Sequence, residues 1–184
     1  MIKTEGIVLH SFDFKENQKI ITLFTEDAGK MSLILTKKNG NLGLTTPFTK
    51  GEYIYTKGKS DLYRFHDGTV LDNHILLRNS LAHLQAAGEL TNVILRSQMP
   101  TKPAPLLYAL LKTYLPQISN FPDPTPLLCS FYLKLLKHEG VLNLDELPEI
   151  CLPLLTSTRF SDLKNIPIHP HLKQKILKVY KSIL

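Results

Sequence analysis

Ile20-Ile21-Thr22-Leu23-Phe24-Thr25, the pair Gly29-Lys30, then Met31-Ser32-Leu33-Ile34-Leu35-Thr36: this stretch decides how the first half of the chain folds. Two runs rich in β-branched and apolar residues flank a turn signal, and each is too short for an ordinary helix. They read as two strands of a hairpin. Upstream, Thr4 to Phe14 reads as a strand. Downstream, Asn39-Gly40 marks a tight turn, and Gly51 to Thr56 reads as a fourth strand with Tyr53 and Tyr55 on one face and Ile54 on the other. After a turn at Gly58-Lys59-Ser60-Asp61, Leu62 to Phe65 and Thr69 to Leu71 make a fifth strand, broken at His66-Asp67-Gly68. Five short strands joined by turns predict a small closed barrel of the OB type. An SH3-like barrel is the rival, and strand count alone does not separate them.

Past residue 73 the period becomes helical. Leu77, Leu81, Leu84, Gly88, Thr91 and Leu95 recur every three or four residues. Pro100 and Pro103 end that helix and frame the next, which carries Leu106, Leu107, Leu110, Leu111 and Tyr114 up to Pro116. Pro124 and Pro126 precede a third, holding Leu128, Phe131, Leu135 and Leu136, with Gly140 as its stop. Asp145 to Ile150 reads as a short helix. His171 to Leu184 is amphipathic, with Leu172, Ile176, Val179, Tyr180 and Ile183 on one side and Lys175, Lys178 and Lys181 opposite. The expected fold class is therefore α+β: a five-stranded OB-fold barrel over residues 1–73, followed by an all-α helical domain over residues 74–184.

The 184 residues, 43% of them hydrophobic, are enough to build a core. Cys129 and Cys151 are the two cysteines and sit among apolar residues, so they read as reduced packing residues. The N-terminus does not read as a signal peptide, and no run approaches the roughly 18 apolar residues of a membrane helix. The expectation is a soluble cytoplasmic protein with no membrane association.

The formal net charge of +6 fits a polyanionic partner without requiring one. Its distribution is more informative. From Ala28 to His66 the basic residues are Lys30, Lys37, Lys38, Lys50, Lys57, Lys59 and Arg64, opposed only by Glu52 and Asp61. Phe48, Tyr53, Tyr55, Tyr63 and Phe65 are interleaved with them. Cations that track phosphates and rings that stack on bases are how a single strand is held. The same pattern also describes strand aromatics packed into a core and edge lysines that keep strands apart. Lys173, Lys175, Lys178 and Lys181 crowd the last helix, where a solvated face and a favourable helix C-terminus account for them.

Motifs for catalysis are missing. Gly40-Asn41-Leu42-Gly43 is too short for a phosphate-cradling loop and lacks the following Lys-Ser/Thr. His169-Pro170-His171 reads as a helix start, and Cys151 has no C-x-x-C partner from which to build a zinc site. No acid–base pair or activated nucleophile is legible. The reading is a binding protein with no catalytic residues, no metal site and no cofactor.

Thr4-Glu5-Gly6-Ile7-Val8-Leu9, Leu23-Phe24-Thr25, Gly29-Lys30, Pro47-Phe48 and Asp61-Leu62-Tyr63 follow one another in an order and spacing that resembles the RecO family of recombination mediators. The resemblance continues more weakly at Gly88-Glu89-Leu90 and from Leu133 to Gly140. It implies an N-terminal OB-fold and a helical C-terminal domain. It also implies binding of single- and double-stranded DNA, annealing of complementary strands, and capture of the acidic tail of single-stranded DNA-binding protein (SSB). Further implied is action with RecR, and often with RecF, to load RecA in DNA repair and recombination. Two departures stand out. The basic loop after the third strand is short, Thr36 to Asn41, so only Lys37 and Lys38 match it. The four-cysteine zinc module of many members is reduced to Cys151, which predicts a zinc-free chain less firmly folded between residues 150 and 170.

The expected mechanism is electrostatic. Lys30, Lys37, Lys38, Lys50, Lys57, Lys59 and Arg64 neutralise one strand so that a second can approach. Arg96 and Lys102 are the residues expected to meet the SSB carboxylates. Two alternatives accompany it: an adaptor that binds SSB and RecR with little DNA affinity of its own, and a metal-dependent nuclease using Asp13, Asp61 and Asp67.

Overall fold

The computed structural model describes residues 1–37, 42–58 and 62–181. They form two compact units, Met1–Leu76 with Thr91–Lys112, and Leu77–Leu90 with Thr113–Leu184.

The first unit is built on β1 (Ile2–Lys15), β2 (Gln18–Thr25), β3 (Gly29–Thr36), β4 (Lys50–Thr56) and β5 (Leu62–Asp72). They close into a barrel in the order β1-β2-β3-β5-β4. β1 pairs with β4 through Ile2 to Ile7 and with β2 from Gly6 onward, and β3 lies parallel to β5. That arrangement is the OB-fold, and it settles the choice against an SH3-like barrel, whose strands connect in a different order.

Alternation along the strands separates core from surface. Val8, Ile21, Leu23, Met31, Leu33, Leu35, Tyr53, Tyr55 and Phe65 fill the interior, and Leu44, from the 3₁₀ turn Gly43–Thr45, joins them from the β3–β4 connection. The Tyr53 hydroxyl donates to the Leu44 carbonyl at 3.1 Å, and burial pushes its phenol pKa up. β5 is a single strand rather than two. Gly68 pairs with Tyr53, and a Cβ there would fall 2.5 Å from the Glu52 carbonyl oxygen. The residues that read as a break therefore form a close backbone approach beside a register shift at Ile54/Tyr55.

The second half of helix α1 (Leu81–Ser97) and helix α2 (Pro105–Tyr114) supply the helical part of this unit. The Phe24 ring meets Tyr108 edge-on, with centroids 6.0 Å apart. The Tyr108 hydroxyl donates to Glu5 Oε1 at 2.7 Å, and Lys112 Nζ lies 2.7 Å from the same oxygen. Burial opposes charge on Glu5, but the hydrogen bonds from Lys112 and Tyr108 outweigh it and hold the carboxyl below its usual range. Gly29, at φ +64°, makes the closest approach: a Cβ would sit 1.9 Å from the Lys102 carbonyl oxygen.

The second unit is arranged around α3 (Thr125–His138), which is buried nearly all round and packs with α4 (Cys151–Thr156), α5 (Phe160–Leu163) and α6 (Pro170–Lys181). The buried Ser130 hydroxyl is satisfied on both sides. Ser130 Oγ donates to the Leu154 carbonyl at 2.6 Å, which leaves the Tyr114 hydroxyl, 2.9 Å away, as the donor to Ser130. Tyr114 in turn lies edge-on to Phe131 and Phe160. Leu172, Ile176 and Tyr180 are buried on α6, while Lys175, Lys178 and Lys181 are exposed, as the amphipathic pattern predicts.

Two helical expectations change. The buried side of α1 is Ala86, Ala87, Leu90, Val93 and Ile94, whereas Leu81 is exposed. Of the expected positions Thr91 is buried as well, while the bulk is carried by Leu90, Val93 and Ile94, which lie beside that spacing rather than on it. The segment from Asp145 to Ile150 holds only a 3₁₀ turn, Leu144–Glu146, in which the Asp145 N–H donates to the Asn143 side chain. The helix begins at Cys151 instead. Residues 151–163, where weaker folding is expected, carry α4 and α5 with Leu154 and Leu163 buried.

Gly29→Ala should lower the unfolding free energy by roughly 2 kcal/mol or more, since left-handed backbone and a steric clash coincide. Gly88→Ala, on α1 with nothing within 4 Å of the added Cβ, should raise it by about 0.5–1 kcal/mol. Urea denaturation of both variants checks the pair. A second expectation concerns acid. A carboxyl with a lowered folded pKa contributes stability above its unfolded pKa and loses it as pH falls through the folded value. Glu5→Gln should therefore cost roughly 1 kcal/mol at neutral pH, and the deficit should shrink as pH falls below 4.5, the ordinary value for the group. Denaturation midpoints across a pH series read this directly.

Candidate nucleic-acid interface

The described residues expected to hold DNA are spread over several strands and connections. Lys30 lies at the start of β3, half-buried, and its Nζ donates to the Leu95 carbonyl at 2.6 Å, near the C-terminal end of α1. Burial lowers its pKa. Its backbone is used as well, since Thr101 N–H donates to the Lys30 carbonyl at 2.8 Å. This ammonium is bound to the fold, and the charge of an α-helix C-terminus is what it meets.

Lys50 opens β4 between Ile7 and Asp72. It is close enough to Glu5 and His74 to bias the charge state of both. Arg64 lies on β5 opposite Thr56 and Ile34, fully on the surface, and Lys57 directly follows Thr56 and is exposed too. Arg64 is thus paired with the residue that precedes Lys57, and Lys50 is at the other end of β4. Lys37 follows β3 and pairs with Asp13 Oδ2 at 3.2 Å, while Lys19 approaches Asp13 Oδ1 at 3.8 Å. The three surround a cleft of about 280 Å³ floored by Leu35. Lys38 and Lys59 fall outside the described residues, as does Asp61. Arg96 and Lys102 are exposed and belong to the compact unit that contains the barrel.

Of the two readings of the interleaved aromatics, core packing holds for most. Tyr53, Tyr55 and Phe65 are core residues, and Tyr63 packs half-buried on them. Edge-on contacts link Tyr53 to Phe65 and Tyr55 to Tyr63. None of the three buried rings can stack on a base. The aromatics that do face outward lie on β1, where sequence reading did not look. Phe12 is 43% exposed and Phe14 48%. The His10 ring stands 5.7 Å from that of Phe12, and Lys15 Nζ lies 5.5 Å from the Phe14 centroid. The alternation in His10-Ser11-Phe12-Asp13-Phe14 carried the signal: aromatics at every second position place their rings on one side of a strand.

The acidic residues suggested for a nuclease are engaged elsewhere. Asp13 is shared by two lysines, and Asp67 Oδ1 accepts from the Gly68 N–H at 2.8 Å. Among the described residues no three His, Cys, Asp or Glu are grouped so that they could hold a metal ion. Cys151 and Cys129 are both buried; burial pushes the Cys129 thiol up to about 12 and raises that of Cys151. Two buried thiols do not furnish a four-cysteine zinc site. No described helix is long and apolar enough to cross a membrane.

Comparison with known proteins agrees with the barrel. The sequence profile of the family described as "Recombination protein O N terminal" matches residues 1–74. The DNA repair protein RecO of Clostridium kluyveri is 32% identical over 172 residues, covering 89% of this chain and 65% of that protein. RecO of Clostridium acetobutylicum is 32% identical over 153 residues, 79% of this chain and 61% of that one. RecO of Chlamydia pneumoniae is 28% identical over 151 residues, 79% and 59% respectively. The chain thus spans about three fifths of the length of the relatives it matches. The closed OB barrel matches the N-terminal domain of the RecO family over residues 1–74, and the similarity to RecO proteins runs on into the helices.

Proposed function

We propose that this chain is a non-enzymatic mediator of DNA repair and recombination. It binds single-stranded DNA, and more weakly duplex DNA, on its barrel. It anneals complementary strands and, with SSB and RecR, assists RecA loading in the cytoplasm at the nucleoid; RecF is a further candidate partner. The observation that carries this reading is the match of the closed OB barrel to the N-terminal domain of the RecO family, with Lys57 and Arg64 both exposed on it. Phosphate neutralisation there lets a second strand approach without full repulsion. SSB is recognised through the acidic end of its tail, with Arg96 and Lys102 as its cationic contacts.

One observation favours the adaptor reading as a second possibility. Lys30 is tied to Leu95 and Lys37 to Asp13, so two of the expected phosphate contacts already have partners. A chain of this kind would hold SSB and RecR while contributing little DNA affinity of its own.

Anisotropy of labelled single-stranded DNA across a salt series separates the two. The mediator reading expects affinity that falls steeply with salt, and a shallower slope, by about one unit, for each of Lys57→Ser and Arg64→Ser. Lys30→Met should leave DNA binding in place and lower stability by about 1–2 kcal/mol, as loss of a charged hydrogen bond does. Binding of an SSB-tail peptide with no measurable DNA affinity would give the adaptor reading preference.

A further inference from the structure

Barrel alternation turns Ile20, Ile34 and Arg64 away from the core, because their sequence neighbours Ile21, Leu33, Leu35 and Phe65 are in it; Ile20 is itself buried, Ile34 half-buried and Arg64 exposed. The strand registers then put Phe12 opposite Ile20, Ile20 opposite Ile34, and Ile34 opposite Arg64. The result is a stripe across β1, β2, β3 and β5 that begins in an exposed ring and ends in an exposed guanidinium. At strand separations of about 4.8 Å it is roughly 14 Å long.

Over part of the barrel's outer surface apolar residues are covered, while Ile2, Val70 and Leu71 are exposed as Phe12 is. Ile7 and Phe24 are fully buried, and Tyr108 of α2 lies against Phe24. Phe12 is not covered in this way, and nothing in the register forces a phenylalanine to stand there. A ring left 43% exposed keeps apolar area in water that a polar strand residue would not. Its surroundings are cationic at both ends. Arg64 closes the stripe on one side, and Lys15 stands beside the Phe14 ring on the other. An exposed ring flanked by cations suits an occupant that is flat, apolar on its faces and negatively charged along its edge.

We infer that Phe12 is a stacking platform for an unpaired nucleic-acid base, with Arg64 and Lys15 meeting the phosphates on either side. This rests on the reading of the chain as a single-strand binder and gives that reading a preference: unpaired bases can lie on the ring, whereas bases inside a duplex cannot. His10, 5.7 Å from Phe12, extends the platform along β1.

The chain contains no tryptophan, so Phe12→Trp introduces a single fluorescent reporter at the platform. Single-stranded oligonucleotide should quench its emission, and the matching duplex should do so far less. Phe12→Leu keeps apolar bulk but removes the aromatic face. It should weaken single-strand binding about fivefold or more while changing duplex binding little, the scale expected from one base–aromatic stack. Thermal melts of both variants should stay close to that of the unaltered chain, since Phe12 lies outside the barrel's core cluster. Unchanged single-strand affinity in Phe12→Leu, or binding by Phe12→Trp without quenching, would overturn the inference and leave the function reading intact. Sedimentation as a dimer that Phe12→Leu dissociates would also overturn it, by making the stripe an interface between copies. Failure of the unaltered chain to bind any DNA would instead remove the reading on which the inference stands.

Discussion

The architecture depends on one strand serving two partners. β1 is fourteen residues long, pairing with β4 through its first part and with β2 through the rest. Without that double pairing the sheet would have two open edges, each a row of unpaired N–H and C=O groups. Closure needs β1 to bend sharply where it changes partner. Gly6 sits at the overlap, in register with both Thr25 and Gly51, and a Cβ there would crowd the Thr25 methyl at 3.0 Å. A register shift follows between Val8 and His10. The bend has a consequence for the surface: the part of β1 beyond it, residues 10 to 15, runs along β2 alone, and there its outward side chains stand in solvent.

A second constraint fixes which part of the barrel is covered. Gly29 lets the backbone of β3 approach the carbonyl of Lys102, Lys30 reaches the end of α1 through Leu95, and Glu5 receives Tyr108 and Lys112 from α2. All of these attachments gather around the Gly29 end of β3 and the start of β1. The other end of β3, with Ile34 and the neighbouring Arg64, has no such attachment described. Covering and exposure are thus decided by the same few residues, and the aromatic stripe lies where the helical cover stops.

Sequence reading found the strands because their signal is local. Alternation of Tyr53, Ile54 and Tyr55, and the turn at Gly29, depend on neighbours in the chain. It found the amphipathic α6 for the same reason. It failed where the answer depends on residues far apart in the chain. Nothing in Lys30 itself announces a hydrogen bond to Leu95, sixty-five positions away, and nothing in Tyr53 or Phe65 distinguishes a ring that packs inward from one that binds a base. On α1 the expected spacing included the buried Thr91 but passed over Ala86 and Ala87, which have little bulk, and over Leu90, Val93 and Ile94, which lie one or two positions off it. Phe12 and Phe14 were legible as alternation, but a strand with aromatics on one side is ordinarily a strand with that side buried. Only the bend in β1 reverses the expectation here.

The dispersal of charge bears on how such a surface would hold a nucleic acid. A local excess of five positive charges in sequence suggests a patch, and phosphate contacts in a patch add up to strong, sequence-independent binding. In the fold that excess is divided among a helix terminus, a cleft in which Lys19 and Lys37 share Asp13, a strand end beside Asp72, and the exposed Lys57 and Arg64. Cations that already face carboxylates or carbonyls release fewer counterions when phosphate arrives, because part of their charge is met before binding. A barrel of this kind cannot rely on charge alone to prefer a single strand over a duplex, since both present phosphates. Discrimination has to come from what only the single strand exposes, the faces of its bases, and a sequence-tolerant ring at the surface is the feature that reads them.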